Sequence, residues 1–219
     1  MTLEEAVFAR HSVRAYTGEP IAEDAAAVLK EETEACNREG GLAIRLVQNE
    51  PKAFKSFLAR YGKFSGVTSY FAIAGEQADD LQERAGYYGE RLVLKAQALG
   101  LNTCWAALTF GKGAVKKAAG LKKGEKLVCV IAVGYGKTQG ATRKSKTFDD
   151  VAVAKDAPDW FKKGVELALL APTATNQQKF RFILEGDTVR AESTGGFYDK
   201  IDLGIVKYHF ETGSGRKLR

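Results

Sequence analysis

The chain has 219 residues, 45% of them apolar, enough for one large domain or two small ones that each bury a core. Its 33 Lys and Arg against 27 Asp and Glu give a net charge of +6, and Cys36, Cys104 and Cys129 are widely spaced, which argues against both a disulfide framework and a zinc site. No apolar run approaches the roughly 20 residues of a bilayer span, and residues 1–14 are amphipathic, so a cytoplasmic protein without membrane or metal is expected. The basic excess gathers in residues 112–126, 143–146 and 216–219 without aromatic interleaving, which leaves a nucleic-acid module without a recognition motif.

In chain order, residues 21–36 carry Ala25, Val28, Leu29 and Ala35 among charges, a helical pattern that Gly40 and Gly41 stop. Residues 42–47 alternate like a strand, and residues 70–74 are a second short apolar run. The best helix spans residues 82–99, where Tyr88, Leu92, Ala96 and Leu99 recur at helical spacing before Gly100. Residues 101–108 follow, then a lysine-rich helical segment, then an uncharged β-branched run at 127–133 that suits a strand covered on both faces. Residues 134–136 read as a turn, and the polar stretch 137–146 as the linker between a first half, 1–146, and a second, 147–219. Beyond it, Phe161, Gly164, Val165, Ala168 and Leu169 form a helical stripe closed by Pro172, and residues 180–184 read as a strand. Residues 21–47 can be laid over 158–184 at an offset of about 137, and 89–99 loosely over the stretch from Gly204 onward, a weak internal repeat. Interspersed helices and strands suggest an α+β fold with a mixed sheet covered by helices.

Four segments could carry chemistry. Arg10, His11, Ser12 and Arg14 follow a short amphipathic helix, and guanidinium forks with a hydroxyl suit a phosphate. Trp105 and Ala106, after Gly100, offer a flat wall and room for close approach. Arg143, Lys144 and Lys146 are a further basic group. Thr175, Asn176, Gln177 and Gln178 place hydroxyl and amides at a helix-to-strand junction, an edge that can donate and accept to a planar heterocycle. Each alone also reads as an ordinary turn, loop or core residue. His209 is expected to be structural, because no partner stands beside it in the sequence.

Together, and in this order, the segments resemble the FMN-dependent nitroreductase family. Its members carry an R-R-S-x-R segment, a helix ending in A-L-G-L-G-T-C-W, a strand ending in I-G-Y with a basic segment beyond it, and a loop like L-A-P-S-x-x-N-x-Q-P-W-R-F. Here these are residues 10–14, 98–105, 132–135, 143–146 and 170–182. In ordinary members that loop follows soon after the first motif, whereas here residues 33–42 are degenerate and the intact copy lies late, so the chain resembles a single-chain subgroup with two tandem halves.

The resemblance implies a nitroreductase-like fold with mostly antiparallel sheets in a pseudo-dimeric arrangement, monomeric rather than an obligate homodimer, with one FMN. It implies phosphate contacts from Arg10, Ser12, Arg14, Lys144 and Lys146, with His11 in place of a second arginine, a wall from Trp105 and Ala106, and contacts from Asn176 and Gln178 to the ribityl chain or ring edge. It also implies ping-pong transfer from NAD(P)H to a nitroaromatic, quinone or similar small acceptor, with the catalytic proton donor unassigned. The alternative is a flavin-binding or storage protein without NAD(P)H turnover.

Overall fold

The computed structural model describes residues 1–218. Helix α1 (Leu3–Ala9) opens on a capping box in which Thr2 and Glu5 satisfy each other's free backbone N–H groups. Helix α2 (Glu23–Gly40) ends at Gly41, which takes the left-handed cap with φ 57°. Residues 33–40, where the degenerate loop copy was expected, are therefore the last two turns of a helix.

Strand β1 (Arg45–Val47), shorter than the alternation predicts, leads through a single 3₁₀ turn and the short helix α3 (Phe57–Tyr61) to strand β2 (Ser69–Glu76). Helix α4 (Leu81–Ala98) follows, then strand β3 (Asn102–Ala106), helix α5 (Lys112–Ala118) and strand β4 (Glu125–Gly134). These four strands form an antiparallel sheet in the order β1-β2-β4-β3. Successive side chains of a strand point to opposite faces. Tyr70, Ala72, Val130 and Ala132 accordingly enter one apolar core, and Phe71, Ile73, Cys129, Ile131 and Val133 the other. The charge-free run at 127–133 is thus covered on both faces. All three cysteines are buried and unpaired.

Past the exposed connection, helix α6 (Phe148–Val151), strand β5 (Ala152–Val153), helix α7 (Asp159–Leu169), strands β6 (Phe180–Glu185) and β7 (Thr188–Ser193), and helix α8 (Asp199–Ser214) complete the chain. Strand β6 pairs in parallel with β5 and antiparallel with β7. Phe161, Phe182 and Phe210 centre the core of this second sheet. The fold is α+β, with one antiparallel and one mixed sheet.

The two sheets are joined by the crossing of α4 and α8, which meet backbone to backbone at glycines. A Cβ on Gly86 would lie 2.0 Å from the Ile201 carbonyl oxygen, and one on Gly204 2.0 Å from that of Glu83. Only glycine permits so close an approach. No helix among the described residues is long and apolar enough to cross a membrane.

Candidate functional site

Where the N-terminal segment, β3 and the start of α8 converge lies a cavity of about 290 Å³, at the lower end of the roughly 300–1,000 Å³ typical of small-ligand sites. The bridge from Ser12 to Thr103 docks the N-terminal segment against β3 and brings Ser12 and Arg14 to the cavity beside Trp105 and Ala106. The opposite wall comes from the turn after α7, through Pro172 and Thr173, and from Ile201, Asp202 and Ile205 of α8. Leu108 and Phe197, 56% and 55% exposed, stand at the rim. A slot with an apolar body, a guanidinium and a hydroxyl suits a planar ring carrying an anionic tail. Burial pushes the thiol of bordering Cys104 above its ordinary value, so it is not poised as a nucleophile.

Of the ten candidate residues, Ser12, Arg14, Trp105 and Ala106 form part of this wall; the other six stand outside it. Arg10 is buried and donates to the Leu170 carbonyl at 3.3 Å. His11 contacts the Ala9 carbonyl through Nδ1 at 3.1 Å. The remaining four hold each other. Asn176 donates from Nδ2 to the Lys144 carbonyl at 2.8 Å. Lys146 donates from its backbone N to Gln178 Oε1 at 2.8 Å and from Nζ to the Gln178 carbonyl at 2.7 Å. Arg143 donates to the Ala171 carbonyl, and burial lowers its pKa to about 10, assisted by the nearby Arg10 cation. The basic segment is therefore laced along the loop at 169–178, where the Arg143 cation also meets the carbonyl-rich end of α7.

That loop is strained, because Thr175, Asn176 and Gln178 all adopt left-handed backbone with φ of 48°, 57° and 45°, a conformation that costs a non-glycine residue roughly 1–2 kcal/mol. Asp202 holds it from the cavity side. Its carboxylate accepts from the Ala174 N–H at 3.0 and 3.1 Å and from Gln177 Nε2 at 2.8 Å. Sequence reasoning missed this residue, since its partners lie more than twenty positions away.

Burial raises the Asp202 pKa to about 6 from 3.8, opposed by the donors from Gln177 and Ala174. A raised carboxylate pKa means that folding favours the protonated form. The associated stability is present below about pH 4 and lost as the pH rises through about 6. Asp202→Asn should abolish this dependence. In denaturant titrations, the stability of the original chain minus that of the variant should fall by about 3 kcal/mol between pH 4 and pH 8; a constant difference would refute the burial of a titrating carboxyl at this position.

Glu90 was also missed. It is fully buried on α4 and accepts from Trp105 Nε1 at 2.9 Å, while its other oxygen lies 2.8 Å from His209 Nε2. His209 is buried, as expected of a structural residue, but it does have a partner. The available signal was a carboxylate on a buried stripe, four residues after Gly86 and four before Leu94.

The family model described as "Putative TM nitroreductase" matches residues 2–214. A comparison with curated proteins finds no match. Among solved structures, a putative nitroreductase from Thermotoga maritima aligns with a TM-score of 0.67 at 24% identity, covering 97% of this chain and 83% of that one. A putative nitroreductase in complex with FMN from Desulfovibrio desulfuricans gives 0.57 at 17% identity, covering 72% and 99%. One in complex with FMN from Exiguobacterium sibiricum gives 0.55 at 16%, covering 71% and 98%. At these identities the structures speak for the fold, which is nitroreductase-like, and the family match extends over nearly the whole sequence. The chain belongs to this nitroreductase family.

Proposed function

We propose that this nitroreductase-family oxidoreductase binds one FMN in the cavity between β3 and α8 and passes electrons from NAD(P)H to a small aromatic acceptor such as a nitroaromatic or quinone. The observation that carries the reading is the convergence of Ser12, Arg14 and Trp105 from the front of the chain with the loop after α7 on one ligand-sized cavity. The residues fit the cofactor. Trp105, Ala106, Ile201 and Ile205 offer apolar surface to a flat ring, and Arg14 and Ser12 a charged and a neutral donor to its polar groups. Asn176, outside the wall, braces the loop by donating from Nδ2 to the Lys144 carbonyl.

When bound, FMN supplies hydride and electron transfer. The chain's own task is to bind, orient and exclude water. Arg14 would favour negative charge at the ring's polar edge, while Asp202 and Asn176 hold the loop in its strained shape. Arg10, Lys144, Lys146 and Gln178 would act from outside the cavity wall, by fixing that loop, and reach the phosphate only if the lacing between 143–146 and 169–178 rearranges.

The two-half organisation, 1–146 and 147–219, supports a single site per chain. The order α2-β1-β2-α4 parallels α7-β6-β7-α8. The register that lays Gly86 on Gly204 also lays Asp80, Glu83, Arg84 and Tyr87 on the cavity residues Tyr198, Ile201, Asp202 and Ile205. Those four border a second cavity of about 390 Å³, where the charges pair off, Arg84 with Asp80 at 3.0 Å and Lys207 with Glu83. A flavin ring would have to displace these pairs.

The test is direct. Purified protein is expected to be yellow, to sediment as a monomer with one FMN per chain, and to bleach on anaerobic addition of NADH or NADPH. Arg14→Ala and Asn176→Ala should each weaken FMN binding about tenfold, the loss of one charge-assisted or buried hydrogen bond. Bound flavin that no nicotinamide bleaches would mark a carrier instead, and undiminished flavin occupancy in both variants would overturn the site.

A further inference from the structure

We propose that Glu90 and His209 are positioning residues that hold Trp105 as a fixed stacking wall for the planar ring in the cavity, a role that rests on the flavin reading above. Neither residue borders the cavity; they act through the indole. Both are 0% exposed. His209 Nδ1 lies 3.0 Å from the Leu167 carbonyl, an oxygen that only accepts, so Nδ1 carries a hydrogen. The 2.8 Å contact between His209 Nε2 and Glu90 Oε1 then holds a single proton between the two side chains. Glu90 Oε2 takes the Trp105 N–H at 2.9 Å, and Arg10 Nε stands 3.9 Å from Oε1. One carboxylate thus ties β3, α8, the end of α1 and, through Leu167, helix α7 to α4.

Trp105 is held at a second point. A Cβ on Gly89 would lie 2.4 Å from its Cη2, so α4 provides a slot for the indole edge as well as an acceptor for its nitrogen. The remaining surface of the ring faces the cavity and packs against the cores of both sheets. Stability alone does not call for charge here, because well-packed apolar side chains of similar volume often replace buried ion pairs without loss. Glu90 does what such side chains cannot, which is to fix the rotation of the indole by its N–H.

The test uses the full chain with Trp160→Phe, which leaves Trp105 as the sole tryptophan. In the flavin-free protein, Glu90→Leu is expected to raise acrylamide quenching and lower the fluorescence anisotropy of Trp105, and on titration to weaken FMN binding about tenfold, as loss of a hydrogen bond to a charged group does. Glu90→Gln should restore both readouts, since its carbonyl can accept from Trp105 while its amide donates to His209 Nε2. A lower melting temperature with unchanged quenching, anisotropy and FMN affinity would mean that the pair is structural only, and overturns the proposal. Should Glu90→Leu fail to fold, Trp105→Phe, which keeps a ring and loses the N–H, is expected to weaken FMN binding to a similar degree, and unchanged affinity there is equally fatal. If the parent chain binds no FMN the flavin reading fails, while the quenching and anisotropy still decide whether Glu90 holds Trp105.

Discussion

Gly86→Ala is expected to destabilise the protein by about 3 kcal/mol or more, at the top of the range for overpacked cores. The added methyl would sit 2.0 Å from the Ile201 carbonyl oxygen and 2.9 Å from its carbon. Both are backbone atoms that no rotamer change can move. Alanine's better helix propensity returns only about 1 kcal/mol, so the clash decides the sign and α4 must part from α8. Because Ile201, Asp202 and Ile205 line the cavity from α8, flavin retention should fall along with stability. Gly113→Ala in α5 is the control: nothing lies within 4 Å of its Cβ, so propensity alone should act and the variant should gain up to about 1 kcal/mol. Equal effects of the two substitutions in chemical denaturation would refute the backbone-to-backbone crossing.

Phe210→Ala should be nearly as severe, at about 3–5 kcal/mol, against a typical total of roughly 5–15 kcal/mol. Phe210 is fully buried, stacks on Phe182 at 4.5 Å and 22°, and meets Phe161 edge-on at 5.7 Å. Gly164 leaves the space its ring occupies, since a Cβ there would lie 2.7 Å from it. The residue is remote from the cavity wall, yet it anchors the helix that supplies three wall residues. Flavin release should therefore track unfolding in a thermal scan, with no separate earlier step. A variant that melts like the parent would place Phe210 outside the core.

What could be read from the sequence follows how local each signal is. Helix α7 carries an uninterrupted apolar stripe, α4 a long one broken by Glu90 and Gln97, and β4 a charge-free β-branched run, so each stands out in a short window. Strand β7 contains Arg190 and Glu192 and is mostly half-exposed, which hides its alternation. Helix α8 buries Asp202, Gly204 and His209 along with its apolar residues, and its stripe is blurred for that reason. The same distinction runs through the site. Ser12, Arg14 and Trp105 sit in contiguous motifs and were legible, and Asn176 in a run of polar residues was singled out as well. Asp202 and Glu90 gain their roles from partners distant in sequence: Ala174 and Gln177 in the loop after α7 for the one, Trp105 on β3 and His209 across the crossing of α4 and α8 for the other.

The cavity's wall draws on residues near 12, near 105, near 173 and near 201. A chain emerging from the ribosome therefore has the first sheet available for folding before any pocket exists, and the pocket closes only when α8 lies across α4. Contacts so distant in sequence form slowly and late. A fragment lacking α8 would carry the motifs of the N-terminal segment and β3 with nothing to close over them.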